Sequence, residues 1–185
     1  MRKTKIAGIL LAAASSAVFS AASAANDGSM SNFSYDYFEA RVGISPVTYG
    51  VGFSTSIHPN AHIRAEIDSE FESDFDATAA IGFHAPVNNW ADVYGELGLR
   101  SMKQRGRFGH DTELGVEVNL GVRQWLGPQL EVGGELGHVS IDSDEDIFGS
   151  VFGRFHATEL FSLGAQIRFN EAYGDQFMFT TRFKY

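Results

Sequence analysis

Residues 112–123 read TELGVEVNLGVR, and the alternation within them decides the fold class. Leu114, Val116, Val118, Leu120 and Val122 fall on one side of a two-residue period. Glu113, Gly115, Glu117, Asn119, Gly121 and Arg123 fall on the other. A helix would spread the five aliphatic residues around its circumference, whereas a strand collects them on one face. The same period runs in both directions from this stretch. In YFEARVGI (37–44), Phe38, Ala40, Val42 and Ile44 oppose Tyr37, Glu39, Arg41 and Gly43. Parity flips at Ser45-Pro46, as at a tight hairpin, and Val47, Tyr49, Val51, Phe53 and Ile57 then alternate with Thr48, Gly50, Gly52, Ser54 and Ser56.

Further segments repeat the pattern: HIRAEIDSEF (62–71), ATAAIGFHA (77–85), DVYGELGLR (92–100), QLEVGGELGHVS (129–140), FSLGAQIRF (161–169) and FMFTTRFKY (177–185). FGSVFGRFHA (148–157) is noisier. If Arg154 and His156 point away from Val151 and Phe155, Phe148 and Phe152 join the polar face. The connections alternate between short turns and longer polar loops. NEAYGDQ (170–176), SDED (143–146), KQRGRFGHD (103–111) and ESDFD (72–76) are expected as the longer ones, while Ser45-Pro46 is short where a longer loop was due. Ten strands joined as successive hairpins form an antiparallel meander, which closes into an up-and-down barrel. Eight strands, with the first hairpin miscounted, is the alternative architecture.

Two solvents are possible for such a barrel. A soluble one hides its apolar face inside; a membrane barrel turns it outward and keeps charge in the lumen. The polar face here is ionic and mixed in sign: Glu39, Arg41, Arg64, Glu66, Arg100, Glu113, Glu117, Arg123, Arg168 and Arg182 suit a self-neutralising lumen network. It also carries Gly50, Gly52, Gly98, Gly115, Gly121 and Gly133, residues that weaken strands unless large neighbours crowd them. The strands are about 9–11 residues long, enough for a tilted crossing of the hydrocarbon. Phe38, Phe71, Trp90, Phe161, Phe169, Phe177 and Tyr185 sit towards strand ends, as interfacial girdles require.

The beginning of the chain points the same way. Met1–Lys5 is basic, Ile6–Phe19 apolar, and Ala22-Ser23-Ala24 has the form of a signal-peptidase site, so residues 1–24 are expected to be a cleaved secretory leader. The division expected is leader 1–24, periplasmic lead-in 25–34 and barrel domain 35–185. Removing the leader leaves 161 residues with 11 basic against 23 acidic side chains, a net charge of −12 that argues against nucleic acid as a partner. There is no cysteine, so no disulfide supports the domain. No apolar run after the leader approaches the roughly 20 residues of a transmembrane helix.

With leader, meander and terminal aromatic in view, the chain resembles the small outer-membrane β-barrel proteins of Gram-negative bacteria, of the OmpA-transmembrane-domain and opacity-protein type. SYDYFEA (34–40) and the His58-Pro59-Asn60 turn add a likeness to short porin-like barrels. The resemblance implies outer-membrane localisation, outer-membrane lipid and lipopolysaccharide as surroundings, and a monomeric barrel with periplasmic termini. It also implies recognition of the last strand by the barrel-insertion machinery. Phe177, Phe179, Phe183 and Tyr185 fit that signal, with Thr181 a mild departure.

Chemistry is sparse by comparison. His138 and Ser140 superficially resemble the His-x-Ser of outer-membrane lipid A deacylases, but Ile141 stands where that family has asparagine and parity puts the pair on the apolar face. Gly109-His110-Asp111 lacks the second aspartate pair of outer-membrane proteases. Asp142–Asp146 lacks the glycine and glutamate of a calcium loop. His62, His84 and His156 read as lumen hydrogen-bonders. Lys103, Arg105 and Arg107 lie in the longest loop, where arginine could meet lipopolysaccharide phosphate. The expectation is a non-enzymatic barrel without cofactor or metal, serving a structural or surface-interaction role. A small porin is the alternative and a lipid A-modifying enzyme the second.

Overall fold

The computed structural model describes residues 31–72, 74–103, 112–141 and 144–185. They form ten strands: β1 Tyr37–Ile44, β2 Tyr49–His58, β3 Ala61–Ser69, β4 Phe75–Asn88, β5 Ala91–Lys103, β6 Thr112–Trp125, β7 Leu130–Ile141, β8 Asp144–His156, β9 Phe161–Glu171 and β10 Gly174–Lys184. Each pairs antiparallel with its neighbours in sequence, and β1 pairs with β10, so the sheet closes into a barrel without an edge. At that seam Phe38 lies opposite Phe183 and Glu39 opposite Arg182. The start of β1, the end of β10 and the β2–β3, β4–β5, β6–β7 and β8–β9 turns share one end, called here the terminus end.

The barrel's polarity is inverted. Val116, Val118 and Leu120 of β6 point outward and are exposed, whereas Glu117, Asn119 and Arg123 are buried in the lumen. β1 alternates in the same sense: Glu39 and Arg41 are buried, Phe38, Val42 and Ile44 exposed. Of the last strand's side chains, Phe177, Phe179 and Phe183 face outward while Met178, Thr180 and Arg182 face in. Outward aromatics cluster at both ends. Phe38, Phe53 and Tyr185 meet at the terminus end with ring centroids 5.1–6.1 Å apart. Tyr49 and Phe71 meet at the other, 5.6 Å apart.

Several strands run further than sequence polarity marks them. β9 continues to Glu171 and β10 starts at Gly174, so the expected long loop at 170–176 is a turn at Ala172 and Tyr173. β8 begins at Asp144, which takes Asp144–Asp146 out of the expected loop 143–146. β4 spans Phe75–Asn88 and β5 ends at Lys103. The physical reason is common to all five strands: a polar lumen lets polar residues continue a strand without interrupting its packing. Gln176, expected in a loop, is buried and donates to the Pro46 carbonyl at 2.9 Å.

Two glycines show why the lumen face needs them. A Cβ on Gly121 would overlap the Tyr94 ring, and one on Gly133 would overlap Phe152. The far ends of both rings fill the space over the glycine, and Phe152 lies on the polar face where its parity places it. We expect Gly121→Val to cost about 1–3 kcal/mol of overpacking, because it displaces Tyr94 from its 2.9 Å hydrogen bond to Glu135. Gly153→Ala, with nothing within 4 Å of its added Cβ, should stay within about 0.5 kcal/mol. Urea unfolding in lipid vesicles compares the two.

At the far end, the β3–β4 connection is organised by one carboxylate. Asp74 accepts from the backbone N–H groups of Glu70 and Glu72, each at 2.9 Å, and from the Tyr173 hydroxyl at 2.5 Å. Partial burial opposes ionisation, but these donors outweigh it and hold the Asp74 carboxyl below its ordinary value. Burial and the bond to Asp74 push the Tyr173 hydroxyl well above its own. A depressed carboxyl contributes stability above its unfolded pKa, about 3.9, and loses it as pH falls through the lower folded value. Amide protection at Glu70 and Glu72 should therefore persist at neutral pH and fall with acidification below about pH 4. Asp74→Asn should weaken it at neutral pH as well.

Candidate functional site: the ionic lumen

Because the strands alternate, most of them cleanly, together they deliver a continuous column of charged side chains to the barrel axis. Towards the far end Arg41 donates to Asp68 at 3.1 Å and to Glu66 at 2.5 Å, and Arg168 reaches the same Asp68 at 2.9 Å. Arg100 forks onto Asp76 at 2.8 and 2.6 Å, and also reaches Glu117 at 3.2 Å and Glu171 at 2.5 Å. Mid-barrel, Arg64 lies 2.6 Å from Glu96 and within 4 Å of Glu66 and Glu135. Towards the terminus end Glu39 takes Arg182 at 2.8 Å and Arg154 at 3.0 Å. Glu131 takes Arg123 at 2.8 Å, Arg154 at 3.3 Å and His156 at 2.8 Å.

Of the residues expected in a lumen network, the structure brings together Glu39, Arg41, Arg64, Glu66, Arg100, Glu117, Arg123, Arg168 and Arg182. Glu113 stands apart: it lies at the start of β6, where the strand leaves the barrel body, and is exposed. Sequence reasoning missed Asp68, Glu96, Glu131 and Glu135 as members, although each shares parity with residues it selected. It missed Asp76 and Glu171 because both lay in segments read as loops, and Arg154 because β8 alternates poorly. Lys103 is the last residue of β5. Arg105, Arg107, His110, Asp111 and Asp142 lie outside the described residues, as do the leader 1–24 and residues 25–30.

The three histidines all enter this network. His84 Nε2 lies 3.1 Å from the Pro59 carbonyl, His84 Nδ1 lies 3.1 Å from His62 Nδ1, and His62 Nε2 lies 2.9 Å from Glu96. The two rings thus bridge the Pro59 carbonyl and Glu96 in one unbroken chain of polar contacts. His138, by contrast, faces outward, 3.7 Å from Glu145, and makes no hydrogen bond to Ser140.

The lumen is nearly filled. A central cavity of about 70 Å³ remains, bordered by Arg64, Glu66, Glu96, Glu135, Ser150 and Arg168 among others. Its charge is unbalanced. Among the described residues the lumen carboxylates Glu39, Glu66, Asp68, Asp76, Asp92, Glu96, Glu117, Glu131, Glu135 and Glu171 outnumber the guanidiniums of Arg41, Arg64, Arg100, Arg123, Arg154, Arg168 and Arg182 and the Lys184 ammonium together.

Closure, inverted polarity and an ionic lumen together define a transmembrane β-barrel. Among solved structures a porin shares this fold. The KdgM porin superposes with a TM-score of 0.51 at 9% identity, covering 80% of this chain and 98% of that one. The same porin in complex with disordered oligogalacturonate gives the same score and identity over 99% of its chain. The NanC porin is similar at a TM-score of 0.47 and 7% identity, covering 80% of this chain and 98% of its own. At such identities the likeness is one of fold. No family model and no curated protein sequence matches the chain.

Proposed function

We propose that this protein is a porin-like barrel of the outer membrane whose lumen passes small ions with a preference for cations. The observation that carries this reading is the continuous ionic column with its excess of carboxylate. A narrow polar path lined by one dominant charge selects ions of the opposite sign. The KdgM structure holds oligogalacturonate, a polyanion. The acid excess and the cavity of about 70 Å³ here favour small cations over a chain of acidic sugars. The small cavity also favours a second reading, a non-conducting barrel with a structural or surface-interaction role.

Planar-bilayer recording separates the two. Under a salt gradient the channel reading expects discrete openings whose reversal potential lies towards the cation, shifted towards zero by Glu117→Gln. A silent bilayer, with folded protein inserted, would leave the structural role. Two further assignments accompany the proposal. Phe177, Phe179, Phe183 and Tyr185 serve as the insertion signal, a role supported by their common outward face. Lys103, with Arg105 and Arg107, contacts lipopolysaccharide phosphate, and loss of phosphate-dependent binding in the triple alanine variant would test it.

A further inference from the structure

We infer that residues 31–36 are an internal plug, closing the terminus-end mouth of the lumen and able to leave it while the barrel stays folded. The functional consequence rests on the channel reading; the plug itself rests on geometry. β1 begins at Tyr37, so the preceding residues lie outside the sheet ladder. Their anchors instead come from five strands; on β2 the Thr55 hydroxyl and the Ser56 N–H donate to Asp36 at 3.3 and 2.6 Å. Phe33 stacks on Trp125 of β6, 5.1 Å between centroids and 5° between planes. Tyr35 stacks on His84 of β4 at 3.9 Å and on His62 of β3 at 4.5 Å. The Arg123 guanidinium covers both rings, 4.5 Å from Phe33 and 4.8 Å from Tyr35.

Polar contacts complete the seat. Ser31 donates to Asp92 of β5, Asn32 donates to Asp92 at 3.0 Å and to the Asn88 carbonyl at 2.6 Å, and Trp125 Nε1 donates to the Asn32 carbonyl at 3.3 Å. The result is two buried aromatic residues in a lumen otherwise lined mainly by charge. Seating them removes apolar rings from water and caps the column where Arg123 and Asp92 would face the solvent.

The same contacts make the plug releasable. Ring stacking and side-chain hydrogen bonds hold it, with no run of backbone ladder, so opening it costs less than opening the sheet. The Tyr35 hydroxyl has no hydrogen-bond partner among the described residues. A groove of about 380 Å³ runs beside it, between residues 31–36 and the His58–Pro59 turn. Release therefore breaks ring stacking and side-chain hydrogen bonds but no ladder pair, and has adjacent space to move into.

The absence of cysteine gives a clean test. Ser150 is buried and borders the central cavity, so Ser150→Cys reports access to the lumen. Its labelling by a small charged thiosulfonate is measured on folded protein, with and without Phe33→Ala and Tyr35→Ala. Removing both stacked anchors should raise the labelling rate by about tenfold or more. In bilayers the same pair should raise open probability. Equal labelling rates with the barrel intact would overturn the plug. Faster labelling without conductance would uphold the plug and count against the channel reading, so the two fail separately. If the aromatic pair prevents folding, Ser31→Ala with Asn32→Ala loosens the same segment without touching its rings, and the same rate ratio decides.

Discussion

Glu131→Ala is expected to be among the most damaging single substitutions in this barrel, costing about 3–5 kcal/mol. Glu131 is fully buried and accepts hydrogen bonds from Arg123, Arg154 and His156. Truncation leaves Arg123 facing Arg154 across an empty site, with Arg154 retaining only its bond to Glu39. The cost arises from charge left buried without a partner; the pair's own attraction contributes less. Glu131→Gln keeps the side chain's shape and one acceptor oxygen, so it should fall between wild type and alanine. Urea unfolding in lipid vesicles gives the number. A loss under about 1 kcal/mol, the range of exposed pairs, would mean that water reaches this tier of the lumen.

Leu120→Arg tests the opposite face. Leu120 lies within β6, opposite Leu136, and is 68% exposed. On a soluble barrel an added charge at so exposed a position would change stability by no more than about 0.5 kcal/mol. Facing lipid near the bilayer midplane it should cost about 2–4 kcal/mol, declining towards either interface. Arginine at Val122 and Leu114, nearer the strand ends, should therefore cost progressively less than at Leu120. A flat profile across the three positions would place this face in water.

Much of this molecule was legible because one period governs it. From Gly115 to Arg123 of β6 each lumen residue and each outward residue has the parity its sequence assigns, and the ten-strand count follows from counting such runs. Strand ends were less legible. Asp76, Asp144 and Glu171 look like loop residues, since polarity marks a boundary only where both faces would otherwise be apolar. A charged lumen removes that contrast. The site followed the same division: Arg41 and Glu66 announce themselves by alternation, whereas Arg154 sits in a strand where Phe148 and Phe152 occupy the polar face. The seating of Phe33 and Tyr35 across the mouth carried no signal, and Tyr35 was counted with the barrel, since their stacking partners His62, His84 and Trp125 are distant in sequence. Periodicity reports which way a side chain points, but a crossing of the barrel mouth has no period.

This chain is a closed barrel with an apolar exterior and an ionic lumen, and we propose that the outer membrane is where it resides. Electrophoretic mobility before and after boiling, on protein fractionated from cells, tests it most directly. Closed membrane barrels hold their structure in SDS until heated, so the unboiled protein should migrate as a compact band, shift on boiling and fractionate with the outer membrane. A protein recovered soluble from the periplasm, with the same mobility boiled or unboiled, would contradict the account.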